Sequence, residues 1–285
     1  MNLHITGSEN DLRAVAEAIG SIVENDTVII PKTLGDGQIR SLAFSASMKL
    51  IIVECSLKED ITFKRHSPRN EEIVTLGFRN MAYSRSDEDT INRPSPSVIV
   101  SRTDFEIEFN YPARTAINLI IIIIKISSLK KMLYADDALI SQLRPIFLDG
   151  LPFHFEEIMS PKLQDIAMQL QKVDVSDMLQ LFYCRIKAEE MIYLFFQALL
   201  DRKDISYYAL KNEDIKMIYY IRGCLIRDFN ETPNIPKLAR RACMSESKMK
   251  KLFKQVYGKS IYNYFQHFRM LEAAYLIREK DFSIS

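Results

Sequence analysis

Between Thr27 and Ile126 the chain is cut into short β-rich runs, with polar, Gly or Pro punctuation and no crossover helix between them. "TVIIP", "QIRSLAF", "MKLIIVECSL", "DITFKR" and "EEIVTLGF" come first; "VIVS", "DFEIEF" and "LIIIIIKI" follow a polar loop, "SRSDEDTINRPSPS" (Ser84–Ser97). Phe105, Ile107 and Phe109 alternate with polar residues, the period of a strand with one buried face. About eight strands in roughly 100 residues, without helices to carry parallel crossovers, restrict this part to a sandwich or barrel of the jelly-roll kind. The run Leu119–Ile126 is the most apolar of the chain. It falls far short of the ~18–20 residues a bilayer span needs, so it reads as a buried strand.

Either side of this block the period is helical. Ser8 can cap a first helix striped by Leu12, Val15, Ala16, Ile19, Ile22 and Val23. After Ser127 the pattern is helical to the end. "MSPKLQDIAMQL" has Ser160 to cap, Pro161 at the first helical position, and a stripe of Leu163, Ile166, Ala167 and Leu170. The stretch Asp177–Arg202 is a long helix, apolar on more than one side. Its stripe either packs on its own domain or pairs two chains. A further helix, "NEDIKMIYYIRGCLIRDF", leads to the Pro/Asn break "NETPN".

The 285 residues carry a net charge of +1, and that average hides a division. Lys237 to Lys280 holds 11 Lys and Arg against 3 Asp and Glu, whereas residues 1–236 hold 27 against 33. A basic module on an acidic body is the asymmetry of a chain that touches a polyanion at one end. Within the module, Asn234 can cap a short helix with Leu238, Ala239 and Ala242 inside. Helix must break around Cys243–Ser245, because Ser245 is placed to cap a second helix. There Met249, Leu252, Phe253 and Val256 face inward at i, i+3, i+4 and i+7, leaving Glu246, Ser247, Lys250, Lys251 and Lys254 outward. Gly258 supplies the left-handed turn that ends it. Two short helices with a tight turn, the second with a polar-basic outer face, fit a DNA-reading helix–turn–helix; a solvated lysine face on an ordinary helix pair fits the charge equally well.

The stretch "LARRACMSESKMKKLFKQVYGKSIYNYFQHFRMLEAAYLIRE" resembles the first half of the AraC/XylS-type DNA-binding domain of bacterial transcription regulators. The resemblance is carried by Leu238-Ala239, Met244-Ser245, Leu252-Phe253-Lys254, Gly258, Tyr264, Arg269, Ala273-Ala274 and Leu276. Within that family, "MSPKLQDIAMQL" with "KAEEMIYLFFQALLDR" looks most like the siderophore-responsive, pyochelin-regulator type. The resemblance implies an α+β chain in three parts: a cupin-like effector-binding β-barrel with an N-terminal helix (1–128), a helical linker and dimerisation segment (129–210), and the DNA-binding region (211–285). It places base-edge contacts on Ser247, Lys250 and Lys251, and phosphate contacts on Ser245 and Lys254. Arg241 and Arg269 are further phosphate candidates, with Arg240 beside them; solvated or structural roles stand next to that. Lysine can donate to guanine O6 and N7, and a serine hydroxyl can bond several bases. The implied partners are double-stranded DNA, a small-molecule effector, RNA polymerase and a second copy of the chain. The family has two helix–turn–helix units, and this sequence stops at "EKDFSIS", where the second would open. The expectation is that the polypeptide is not the complete regulator and binds DNA poorly as it stands.

Other chemistry finds little support in the residues. His66 in "FKRHSPRNEE" has poor spacing for a cupin metal site, and His4, His154 and His267 lie elsewhere, so no metal and no cofactor is expected. There is no G-x-S-x-G, no P-loop and no Cys/His pairing, and the adjacent carboxylates Glu71-Glu72 and Asp136-Asp137 cannot converge on one substrate. An enzyme is therefore not expected. Cys55, Cys184, Cys224 and Cys243 lie far apart, as reduced thiols of a cytoplasmic protein do, mostly as core fillers. No basic-then-apolar signal pattern opens the chain. An effector pocket would be the barrel interior, with Ile51, Val53, Phe105 and Ile107 as lining candidates and Arg65 and Tyr83 as polar partners; plain core is the alternative for each apolar one. The reading is a ligand-responsive transcriptional activator. Its rivals are a metal-free cupin-like small-molecule binder or enzyme with an incidental helical tail, and an adaptor whose basic helices meet an acidic protein.

Overall fold

The computed structural model describes residues 2–6, 12–66, 72–79, 96–102, 107–111, 113–114, 116–147, 153–173, 178–202 and 210–279. The chain divides into two compact units, whose described parts fall within residues 2–202 and 210–279. The first is α+β and the second all-α.

The first element is a strand, not the expected helix. β1 (Asn2–Thr6) runs parallel to β6 (Ile61–His66), which also pairs antiparallel with β9 (Ile107–Tyr111), giving a three-stranded sheet. The partner of β1 lies some 60 residues away in the chain, so no local period announces it. Helix α1 (Leu12–Ile19) follows, and Gly20, at φ 71°, turns the chain out of it. Ile22 is consequently 67% exposed and Val23 opens the short strand β2 (Val23–Glu24), so neither belongs to the helical stripe.

The remaining strands are β3 (Thr27–Ile29), β4 (Gly35–Ser45), β5 (Met48–Leu57), β7 (Ile73–Arg79), β8 (Ser97–Arg102), β10 (Ala116–Lys125) and β11 (His154–Ile158). With β2 they form an antiparallel eight-stranded sheet in the order β11-β8-β7-β10-β5-β4-β3-β2. The isoleucine run is β10, hydrogen-bonded to β5 on one side and β7 on the other. A central strand covered on both faces has no reason to alternate, hence its unbroken apolar texture. β11 corrects the expectation of helix throughout after Ser127. Its register, His154 opposite Ser101 through Ile158 opposite Ser97, completes the sheet edge at β8. His154, Phe155 and Glu156 are all buried, a burial pattern that neither helical nor alternating periodicity picks out.

The two faces of this sheet differ. On one, Leu50, Ile52, Leu76, Phe78, Val98, Val100, Ile120, Ile122, Ile124 and Phe155 are at most 1% exposed. α5 (Pro161–Gln171) and α6 (Gln180–Leu200) lie against β4, β5 and β11. Ser160 caps α5 through the Leu163 amide, with Pro161 just inside. Arg40 of β4, buried, donates to the carbonyls of Val173 (2.7 Å) and Gln171 (3.1 Å), bonding the negative end of α5 to the sheet. At the far end of α6, Arg202 is gripped by β11: it pairs with the Glu157 carboxylate, donates to the Glu156 carbonyl at 2.8 Å and lies over the Phe155 ring, 5.6 Å from its centroid. The opposite face carries Ile51, Ile73 and Ile123, with Ile39, Val53 and Ile121 half-buried around them. Toward β11 that face turns polar. Thr75, Ser97, Ser101, His154 and Glu156 are buried there, and Arg79 donates to Glu156 at 3.1 Å. α2 (Ile126–Met132), α3 (Asp137–Gln142), capped by the Asp136 carboxylate, and α4 (Arg144–Phe147) connect β10 to β11. No described helix is long and apolar enough to cross a membrane.

Candidate nucleic-acid interface

The second unit is built from α7 (Asn212–Arg227), α8 (Ile235–Arg241), α9 (Glu246–Tyr257) and α10 (Ile261–Glu279). Local chemistry sets each boundary. The Asn234 carboxamide accepts from the Lys237 amide at 2.9 Å to open α8. The chain leaves α8 at Ala242 and turns at Cys243, which takes φ 51°, while the Met244 amide closes back on the Ala239 carbonyl at 3.0 Å. The Ser245 hydroxyl accepts from the Lys248 amide at 3.2 Å, opening α9. Gly258, at φ 66°, ends it with its amide on the Lys254 carbonyl. Ser260 then caps α10 through the Asn263 amide.

Burial orients α9. Met249, Leu252, Phe253, Val256 and Tyr257 are buried, as are Leu238, Ala239 and Ala242 of the α8 side. The rings of Phe253, Tyr257, Tyr264 and Phe268 meet in tilted and edge-to-face contacts with centroids between 4.6 and 5.3 Å, fixing α9 on α10. Tyr219 of α7 meets the edge of Tyr257, and Arg222 donates to the Tyr264 hydroxyl at 2.8 Å. Lys248 Nζ donates to Asp214 Oδ1 at 2.6 Å, and Asp214 is buried. Lys248 is thus turned toward α7 and away from the outer face. Nothing in the local sequence pointed to Asp214, because its partner lies 34 residues downstream.

With that inner side fixed, Ser247, Lys250, Lys251 and Lys254 are exposed together along one face of α9, at i, i+3, i+4 and i+7. Ser245 stands exposed at its N-terminus, and Glu246 is half-buried beside it. Lys250 Nζ donates to Glu246 Oε2 at 3.1 Å. Arg240 and Arg241 are exposed at the end of α8, and Arg269 is exposed on α10. Met270, at 67%, with Leu271 and Ile277, leaves apolar surface outward on α10. A row of cations on one helix face, with the opposite side anchored in an aromatic core, can be laid against a polyanion without rearranging the fold.

The effector candidates of the first unit that are described lie on two sheets. Ile51 and Val53 share a face of β5 and pack with Ile39, Ile73, Ile121 and Ile123. Arg65 and Ile107 stand opposite each other in the β6–β9 ladder of the smaller sheet. Tyr83 and Phe105 lie outside the described residues. Among the described residues, no three His, Cys, Asp or Glu side chains gather as a metal site. Cys184 is buried, Cys55 and Cys224 are partly buried, and Cys243 is exposed at the turn, so the core-filler reading does not extend to Cys243. Burial pushes the Cys55 thiol up to about 11.

No protein-family model and no curated protein matches the chain. Among solved structures it is similar to ToxT from Vibrio cholerae in its P21 form, at 10% identity and a TM-score of 0.30, over 77% of this chain and 98% of that one. It is also similar to unsaturated-fatty-acid-bound wild-type ToxT from Vibrio cholerae strain SCE256, at 12% identity and a TM-score of 0.32, over 84% of each chain. Neither likeness carries an argument at such scores, and the functional reading rests on the residues of this chain.

Proposed function

We propose that this chain is a sequence-specific DNA-binding transcriptional regulator of the AraC/XylS type, a cytoplasmic activator that answers a small-molecule effector. The observation that carries the reading is the outer face of α9: Ser247, Lys250, Lys251 and Lys254 exposed in one row on a helix whose other side is locked in an aromatic core. In this reading α9 enters the major groove. Ser247, Lys250 and Lys251 meet base edges, while Ser245, Lys254, Arg241 and Arg269 hold phosphates. The concentration of positive charge between Lys237 and Lys280 supports it, since phosphate contacts supply most of the affinity.

The division proposed with it is an effector-binding, cupin-like β-domain (1–128), a helical linker and dimerisation segment (129–210), and the reader (211–285). The aliphatic face of buried Ile51, Ile73 and Ile123, with half-buried Val53 beside them, supports an apolar contribution to the effector site. Arg65, Tyr83, Phe105 and Ile107 complete the proposed lining. The outward side of α6 supports pairing with a second copy. Leu179 (69%), Phe182 (63%), Ile186 (46%) and Tyr193 (57%) are exposed at near-heptad spacing, opposite the side that covers the sheet. RNA polymerase is the proposed downstream partner.

The test is fluorescence anisotropy with a pool of duplex oligonucleotides at about 50 mM salt, where phosphate contacts are strong. The chain is expected to bind duplex weakly, measurably at this low salt, and to select sequences. Lys250→Ala should lose preference at one base position while still binding. Retained preference in that variant, or absence of duplex binding by the intact chain, overturns the proposal.

A further inference from the structure

One side chain on the outer face of α9 has the wrong sign for a phosphate-binding surface. Glu246 occupies the first position of the helix, one turn ahead of Lys250, and its Oε2 accepts from Lys250 Nζ at 3.1 Å with both side chains about half exposed (44% and 55%). A carboxylate in a first helical turn is favoured by the helix dipole, and an exposed i,i+4 pair adds a few tenths of a kcal/mol to a helix. Those effects account for the pair in the free protein. At a surface meant for a polyanion they come with a charge that repels every phosphate, unless the carboxylate finds a donor there.

The major groove offers such a donor. Cytosine presents its N4 amine, next to the O6 and N7 acceptors of guanine, and Glu is the side chain that accepts from it. Lysine has three N–H donors, so Lys250 can keep its bond to Glu246 and still give to guanine. A donor and an acceptor held 3.1 Å apart therefore present the complement of adjacent guanine acceptors and cytosine amine, whose own spacing across the pair is about 3 Å. The first residues of a groove-lying helix are also the ones that reach base edges.

We infer that Glu246 is a specificity-determining residue: it accepts from a cytosine N4 amine within one base step of the guanine taken by Lys250, and orients Lys250 while doing so. The inference rests on the proposal that α9 reads DNA. Glu246 lowers affinity for all sequences through its charge, and restores it where cytosine stands at the right position.

Selection from a randomised duplex library at about 50 mM salt tests this with the intact chain, Glu246→Ala and Glu246→Gln. The intact chain is expected to enrich cytosine at one position by about tenfold over the other bases. Glu246→Ala should bind the unselected pool more tightly and lose that enrichment. Glu246→Gln should move it to adenine, whose N6 and N7 suit a carboxamide. A merely helix-stabilising glutamate would leave the selected sequence unchanged in both variants, and that result overturns the inference while leaving the DNA reading intact. If the intact chain selects nothing, the DNA reading fails and this inference with it. Helical circular dichroism of each variant separates lost selection from lost folding; if both variants unfold, the inference is overturned as well, because Glu246 is then structural.

Discussion

Single hydrogen-bonding groups decide where α9 begins and which way it faces. The Ser245 hydroxyl meets the Lys248 amide, and the Lys248 ammonium meets Asp214 on α7, so one turn of α9 is held by its cap and by a neighbouring helix. Ser245→Ala is expected to cost about 1 kcal/mol, the usual worth of such a cap, and thermal melting of the 210–279 unit would measure it. Asp214→Asn keeps the shape and weakens the charge-assisted bond. It should cost about 1–2 kcal/mol and allow Lys248 to swing outward, an outcome checked by chemical denaturation. In the first unit Gly37, at φ 120°, lies so close to β5 that an added Cβ would meet the Glu54 carbonyl oxygen at 2.1 Å. That backbone must move for any other residue to fit.

At the scale of elements, the strands and helices that speak through their own residues were legible, and those defined by distant partners were not. The isoleucine run reads as a buried strand, and Ser160, Asn234 and Ser245 cap the helices they precede. β1 and β11 carry no local sequence signal, because each is short and each exists through its pairing, with β6 and β8 respectively. The α9 face could be read from its period of 3.6, whereas the Lys248–Asp214 tie and the polar patch of Thr75, Ser101 and His154 need the fold to bring them together. Ile122 lies in the middle of β10, fully buried between Leu50 and Leu76 on the adjoining strands. Ile122→Ala is expected to destabilise the β-rich unit by roughly 2–5 kcal/mol in urea denaturation, through lost burial and the cavity left behind.

For the molecule as a whole, charge is divided unevenly along the chain, acidic over residues 1–236 and basic from Lys237 to Lys280. His154, buried at the β11 edge, is held down to about 4, first by burial; Glu156 acts against that shift and Arg79 with it. The native state thus binds fewer protons there than the unfolded chain. Stability from this group is complete above about pH 6.5 and drains away as pH falls toward 4, by up to about 3 kcal/mol. Urea midpoints recorded across that window should fall for the intact protein and fall less for His154→Gln. The basic end of the chain answers to salt instead. Lys254, Arg241 and Arg269 are the proposed cationic phosphate contacts, so log affinity for duplex DNA should fall against log salt with a slope near −3, at about 0.9 per neutralised phosphate. The most direct test is that slope, measured for the intact chain and for Lys254→Ala. The account predicts a steep fall that becomes shallower by about one in the variant; a flat line, or identical slopes, would contradict it.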